Sequence, residues 1–282
     1  FDPFYFSMRT LSIAKKKDDI IARLNVLADS YASWIQEKLV HDPKMDDTKF
    51  KSEIGNAIVG KCEEVLSRIR AGIQLLVEDD IAFDAFCFMN RSMILQRNIT
   101  NFSKKHGAGI ECAFKDFVDP RDPANNFGWR PFQIAFILMN LNAVVNPEHE
   151  DREVVDLLYF PTGGGKTEAY LGLMAFVIAN RRLRHSETDE YNRDGGVTAI
   201  LRYTLRLLTT QQRDRITKMI VAAELIRQKE YPKYGKEPIS IGFWVGGGVT
   251  PNKFKELEED LEDPAKTRAA RSKKNSIYKQ LL

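Results

Sequence analysis

Apolar residues recur every three or four positions through the first hundred residues, which is the spacing of one face of an α-helix. This pattern predicts one helix over 18–40, a second over about 48–77 and a third over about 79–97. Since the three helices each have one apolar face to bury, they are expected to pack together. We therefore predict an α-helical N-terminal region over residues 1–102.

The pattern then changes three times along the chain. Residues 103–128 are rich in Gly, Asp, Asn and Pro, which predicts a linker. Residues 131–145 have apolar side chains on nearly every face, which predicts a buried helix. The last segment, 253–282, alternates in charge and predicts a surface helix that forms a charged tail.

Between these segments the chain alternates between two periodicities. The run from Val154 to Phe160 is short, rich in β-branched and aromatic residues and bounded by Pro161, so it predicts a buried strand. After Thr167 the apolar residues return to helical spacing. Because strands and helices alternate in this way through 154–252, we predict a parallel sheet with helices on its faces, an α/β fold.

The loop between this strand and helix has the chemistry of a phosphate site. Gly163, Gly164 and Gly165 allow the backbone to turn its N–H groups inward on an anion. The N-terminus of the next helix adds a positive dipole end. Lys166 can reach terminal phosphates, and the Thr167 hydroxyl can bind Mg²⁺. The alternative is a glycine-rich turn with a chance Lys-Thr pair, and the flanking strand and helix argue against it.

Composition narrows the class of protein only a little. The 282 residues have a net charge of +3, which weakly indicates a nucleic-acid partner, and 43% are hydrophobic, which suffices for a core. The three cysteines are scattered and show no metal or disulfide spacing, which favours a reducing cytosol. No apolar run reaches the ~18 residues that a membrane span needs. We expect a cytoplasmic protein without a membrane partner.

The stretch "FPTGGGKT" resembles motif I of superfamily 2 helicases and translocases, with Phe160 where the general phosphate-loop pattern has its first glycine. The resemblance implies ATP and Mg²⁺ as cofactors. It also implies that Thr162 lines the nucleotide site beside the glycines and that Lys166 is catalytic. Upstream, "WRPFQIAFILMNL" (129–141) resembles the Q motif of the same superfamily. That resemblance implies that Gln133 reads the adenine edge.

Two further stretches follow in the order expected of this superfamily. "AILRYTLRLLTTQQRDRI" (199–216) resembles motif Ia, which implies nucleic-acid contacts by Arg206 and Gln211. The usual proline is missing there, and Thr204 lies one place early. "IGFWVGGGVTPN" (241–252) resembles the motif Ib region. Together these resemblances imply the front half of a P-loop RecA-like domain over 129–252, with an incomplete parallel sheet.

The exact sequences of these motifs, together with "FMNRSMILQ" (88–96), resemble those of the helicase subunit of DISARM anti-phage systems, the DrmA-type family. The resemblance covers about residues 80–252. It implies a bacterial ATP-driven motor that acts on DNA, single-stranded or with a single-stranded overhang. It also implies a DrmB-type partner subunit.

A motor of this class also needs an Asp-Glu pair at the end of an apolar strand, to hold Mg²⁺ and to polarise the attacking water. "DE" at Asp189–Glu190 lies in a polar loop, and "ELEEDLED" (256–263) has no strand before it. Both are typical of solvated surface. We therefore expect the chain to be part of a longer protein and to bind nucleotide without hydrolysing it efficiently alone.

Two other functions remain open at this point. The chain can be a scaffold that a bound nucleotide locks and that recognises DNA without unwinding it. It can also be a kinase or a signalling NTPase of another class, although Gln133 and the motif Ia pattern argue against that. Transfer of phosphate to a small acceptor would indicate a kinase, and hydrolysis stimulated by DNA would indicate a motor.

Overall fold

The computed structural model describes residues 5–40, 53–118, 126–159, 161, 163–185, 193–202 and 210–243. Most of these residues are helical. The described ranges contain eight α-helices: α1 (Lys17–Trp34), α2 (Glu53–Glu78), α3 (Asp80–Gly107), α4 (Lys115–Val118), α5 (Pro131–Val145), α6 (Lys166–Leu183), α7 (Thr210–Lys229) and α8 (Tyr231–Tyr234). Short 3-10 helices cover Thr10–Ser12, Ala14–Lys16 and Glu150–Glu153, and a π-helix, Ile35–Val40, continues α1.

The helices predicted for the first hundred residues are confirmed within the described ranges. The first corresponds to α1 with its π-helical extension, and the second to α2. The third, α3, continues past the predicted end to Gly107. Its first turn is closed by Asp79, whose carboxylate accepts a hydrogen bond of 2.9 Å from the Ala82 N–H.

The core is built around α3, which packs against α6 and α7 as well as against α2. Helix α5 lies between α2 and α6, and its apolar faces are buried as predicted. One continuous apolar cluster extends from Phe6 to Ile239, so the predicted N-terminal region and the segment after it share a core. Its buried side chains on the central helix include Phe83, Phe86, Phe88, Met89 and Met93.

The predicted α/β fold with a P-loop RecA-like parallel sheet is wrong. No β-strand occurs in the described ranges, where the only β-bridge joins Ser7 to Gly128. The segment 154–159 has no strand beside it in the described ranges, and strands need inter-strand hydrogen bonds to form a sheet. Its side chains are also not buried: Val155, Leu157 and Tyr159 are 94%, 85% and 88% exposed.

The segment 154–159 is instead held to α2 by an ion pair. The Arg68 guanidinium on α2 donates to both carboxylate oxygens of Asp156, at 2.7 and 2.8 Å. The Nε atom of Arg68 lies 2.8 Å from Asp151 in the preceding 3-10 helix. The hydrogen bonds to Asp156, with the nearby charge of Asp151, stabilise the charged form of Arg68 and raise the pKa of its guanidinium. The chain entering the glycines is thus tied to the N-terminal helices.

The stretch after α8 is held by a second group of charged side chains. The Glu224 carboxylate accepts from the Arg227 Nη2 atom at 2.7 Å and from the backbone N–H of Ile239 at 2.8 Å. The Arg227 Nη1 atom donates to the Gly235 carbonyl at 2.9 Å. This connection keeps residues 235–239 against α7.

This arrangement predicts a loss of stability in acid. Chiefly through its hydrogen bonds to Arg227, Glu224 has its pKa lowered from 4.5 to about 2. A lowered pKa in the folded state stabilises the protein above the unfolded value, so stability is expected to fall as the pH drops from 4.5 towards 2. Glu224→Gln should lower the free energy of unfolding at pH 7 by about 1–2 kcal/mol, as measured by urea denaturation.

The control for this prediction is Glu63→Gln, which changes an exposed carboxylate on α2. At pH 6 and at pH 3, the urea unfolding curves of this variant should match those of the unchanged protein. If Glu224→Gln loses as much stability between pH 6 and pH 3 as the unchanged protein, the ion pair is not the source of the acid sensitivity.

None of the described helices combines the length with the apolar character that crossing a bilayer requires. The three cysteines, at 62, 87 and 112, are all free thiols.

Candidate functional site

The three glycines at 163–165, here called the glycine loop, lead directly into α6, so the predicted loop-to-helix junction is confirmed. Gly163 and Gly165 have φ angles of 81° and 92°, in the left-handed region that favours glycine. The Gly164 N–H donates to the Pro161 carbonyl at 3.1 Å. The first N–H groups of a helix have no acceptor within the helix, so the N-terminus of α6 can attract an anion.

Two side chains at the start of α5 hold the carbonyls of the glycine loop. The Arg130 Nη1 atom donates to the Gly164 carbonyl at 2.8 Å, and the Gln133 Nε2 atom donates to the Gly165 carbonyl, also at 2.8 Å. The Oε1 atom of Gln133 accepts from the backbone N–H of Arg130 at 2.8 Å. Two successive carbonyls are therefore turned towards α5.

Gln133 is buried, and both ends of its amide contact protein. The sequence places this residue beside the glycine loop, and the structure brings the two together. Its predicted contact with adenine stays a prediction.

The start of α5 is itself anchored in the core. Trp129 is buried, and its indole N–H donates to Oδ1 of Asn90 on α3 at 2.7 Å. Its ring also packs against Gly172 of α6, where an added Cβ would lie 2.6 Å from the ring. Because α5 approaches α6 this closely, the side chains that follow Trp129 reach the glycine loop.

The side chains predicted to bind phosphate and Mg²⁺ begin α6. The Lys166 Nζ atom donates to the Pro161 carbonyl at 3.4 Å, so the ammonium group lies over the loop. Thr167 follows in the first turn and is partly exposed. Thr162 lies outside the described residues. The described residues contain no cluster of three or more His, Cys, Asp or Glu side chains that could hold a metal, and Mg²⁺ binding by Thr167 stays a prediction.

Sequence reasoning missed one ion pair at this site. Glu168, in the first turn of α6, pairs with Arg215 of α7. The second carboxylate oxygen of Glu168 is buried and has no hydrogen-bond partner. Arg215 follows the predicted nucleic-acid residue Gln211 by four positions in α7. That spacing was visible in the sequence, but nothing in the sequence pointed to Glu168 as the partner.

The predicted nucleic-acid residues fall largely outside the described part of the chain. Arg206 lies in 203–209, which is not described, and Gln211 belongs to α7 with a side chain that is not described. Of the basic residues on α7, Lys218 pairs with Asp214 at 2.7 Å and Arg227 pairs with Glu224 at 2.7 Å. These pairs favour an ordinary solvated or structural role for the α7 cations.

No family model matches the chain. The chain is 45% identical over 258 residues, or 91% of its length, to the DISARM protein DrmA of Bacillus paralicheniformis. It is a relative of DrmA. The predicted resemblance to DrmA-type proteins is therefore confirmed, and it extends beyond the 80–252 segment that the motifs indicated. The chain spans 22% of the length of this DrmA protein.

Proposed function

We propose that this chain belongs to a DISARM anti-phage defence protein and that its glycine loop binds the phosphates of ATP. The observation that most favours phosphate binding is the orientation of the glycine loop. The carbonyls of Gly164 and Gly165 accept hydrogen bonds from side chains at the start of α5 and therefore face that helix. Carbonyl oxygens are negative ends of dipoles, and turning them away leaves the N–H side of the loop and the N-terminus of α6 for an anion.

In this proposal each residue of the loop has a separate task. The glycines at 163–165 surround the phosphates with backbone N–H groups, for which the Gly164 N–H exchanges its bond to the Pro161 carbonyl. Lys166 neutralises the β- and γ-phosphates. Thr167 binds the Mg²⁺ that accompanies ATP. The Q-motif resemblance implies a contact between Gln133 and adenine, although both ends of its amide are bonded to Arg130 and Gly165 in this structure. Hydrolysis itself needs carboxylates of the kind that the sequence does not show after motif Ia.

We further propose that the longer protein uses ATP to move along or remodel DNA in the cytoplasm, together with a DrmB-type partner subunit. The relationship to DrmA supports the defence role, and the order of the motifs supports a helicase or translocase. Arg206 and Gln211 would then contact the nucleic-acid backbone. DNA that is single-stranded, or that ends in a single-stranded overhang, is the proposed substrate.

Lys166→Ala tests the nucleotide site. We expect it to weaken binding of a fluorescent ATP analogue at least tenfold, because the ammonium group that faces the phosphates is removed. Lys61→Ala, which changes an exposed lysine on α2, is the matched control and should bind as the unchanged protein does. Equal dissociation constants for the unchanged protein and the Lys166 variant would exclude phosphate binding at this loop.

The second candidate is a scaffold that nucleotide locks onto DNA without unwinding. It is favoured by the ion pair between Glu168 and Arg215, which joins the proposed nucleotide helix α6 to α7. ATP hydrolysis by the protein with and without single-stranded DNA separates the two candidates. Stimulation by DNA identifies a motor, whereas DNA binding that strengthens with a non-hydrolysable ATP analogue, without turnover, identifies the scaffold.

A further inference from the structure

We propose that Arg130 is a positioning residue for the nucleotide site, which holds the glycine loop in its phosphate-binding form. This inference rests on the proposed function and adds to it a residue that does not itself touch the nucleotide. It starts from one hydrogen bond that connects the beginning of α5 to the loop, between the Arg130 guanidinium and the Gly164 carbonyl.

The backbone at Arg130 is well suited to this role. The residue caps α5 in an extended conformation, with φ −71° and ψ 148°, and Pro131 follows it. A residue before proline is restricted to this region, so the direction of the Arg130 Cα–Cβ bond is largely determined in advance. Trp129, buried on the other side, holds the same peptide in the core.

Arg130 and Gln133 act on neighbouring peptides of the loop. Arg130 holds the Gly164 carbonyl, and Gln133 holds the Gly165 carbonyl. The two residues are joined by the hydrogen bond that the backbone N–H of Arg130 donates to Oε1 of Gln133. The fit is close, since a Cβ at Gly165 would lie 2.7 Å from the Gln133 Nε2 atom. Release of either carbonyl would allow it to rotate towards the side where phosphate binds.

Arginine has two properties that make it effective here. Its planar guanidinium presents five N–H donors, which suits a hydrogen bond to a carbonyl such as that of Gly164. Its positive charge also lies near the proposed phosphates and favours an anion, although solvent screens an exposed charge of this kind. Lysine keeps the charge but not the planar geometry, so Arg130→Lys separates the two contributions.

Arg130→Met tests the proposal by titration with fluorescent ATP and GTP analogues. We expect both dissociation constants to rise by about tenfold and by the same factor, because the loop recognises phosphate and not the base. The melting temperature should stay within about 1 °C of the unchanged protein, since Arg130 is an exposed residue. Arg130→Lys should recover part of the lost affinity.

Arg152→Met is the matched control. Arg152 makes the same kind of bond at the other end of α5, where its Nη1 atom donates to the Ala143 carbonyl at 2.9 Å. Its partner Ala143 lies near the C-terminal end of α5, whereas Arg130 precedes the first residue of that helix. Replacement of Arg152 should therefore leave both dissociation constants unchanged.

The outcomes separate this inference from the proposed function. If Lys166→Ala lowers nucleotide affinity and Arg130→Met does not, Arg130 has no positioning role and the proposed function stands. The inference also fails if Arg152→Met weakens binding as much as Arg130→Met, or if Arg130→Met changes the ratio of ATP to GTP affinity. If neither Lys166→Ala nor Arg130→Met changes affinity, both the proposed function and this inference are wrong.

Discussion

Replacing Gly72 with alanine is expected to lower the free energy of unfolding by about 3 kcal/mol, at the upper end of the usual cost of overpacking. Gly72 is buried in α2 where this helix approaches α5. A Cβ atom there would lie 2.0 Å from the carbonyl oxygen of Leu138 and 2.8 Å from its carbonyl carbon. Because both atoms belong to the backbone of a buried helix, no side-chain rotation can relieve the clash.

Gly60→Ala on the same helix is the matched control. It has no heavy atom within 4 Å of the added Cβ, so only helix propensity changes. Alanine is favoured over glycine in a helix by about 1 kcal/mol, and this variant should be more stable than the unchanged protein. Chemical denaturation followed by circular dichroism measures both. Two stabilised variants would show that α2 and α5 are not in close contact at Gly72.

The second large effect is expected at Arg182, which is buried near the C-terminal end of α6. Its Nη1 atom donates to the carbonyls of Tyr234 and Glu237, at 3.0 and 2.5 Å. Its Nη2 atom donates to the carbonyls of Asp194 and Pro238, at 3.0 and 3.2 Å. One guanidinium therefore connects to α6 both the segment at Asp194 and the end of α8 with the chain that follows it. Burial of this guanidinium lowers its pKa.

Arg182→Met should lower the free energy of unfolding by about 3 kcal/mol, because the four carbonyls lose their donors while methionine fills much of the same space. Arg182→Lys should recover only part of this loss, since an ammonium group cannot serve four acceptors in one plane. Urea denaturation at pH 7 provides the measurement for both variants.

Arg213→Met makes the same substitution at an exposed position of α7, and its effect should stay within about 0.5 kcal/mol. If Arg182→Met proves as mild as this control, the carbonyls around Arg182 have other partners in solution.

Part of the candidate site could be predicted from the sequence. Glycines at 163 and 165 occupy backbone conformations that other residues rarely adopt, and the helix begins at Lys166 as the pattern indicated. The proximity of Gln133 to this loop was likewise implied by the Q-motif resemblance. These features depend on local backbone preference or on a motif that can be recognised.

The partners of the arginines could not be predicted in the same way. Arg130 and Arg182 bind backbone carbonyls, which every residue has, so no sequence pattern marks the partner. Arg68 and Arg215 bind carboxylates far along the chain, at Asp156 and Glu168. In each case the packing of the helices decides which acceptor comes within reach.

The predicted sheet also depended on contacts between distant residues, which the sequence does not show. The β-branched and aromatic residues of the run from Val154 to Phe160 predicted a buried strand. A strand also needs hydrogen bonds to a neighbouring strand, and none lies beside this segment in the described residues. For the described residues of this run, both the predicted burial and the predicted pairing into a sheet are wrong.

The sequence by itself determined the helices, their apolar faces and the glycine loop at the start of α6, because these follow from interactions within a few residues of one another. It also showed the relationship to DrmA-type proteins. Only the tertiary structure decided that α3 is the centre of the core and that Arg130 reaches the glycine loop. These contacts join residues distant along the chain, and they depend on how all the helices pack together.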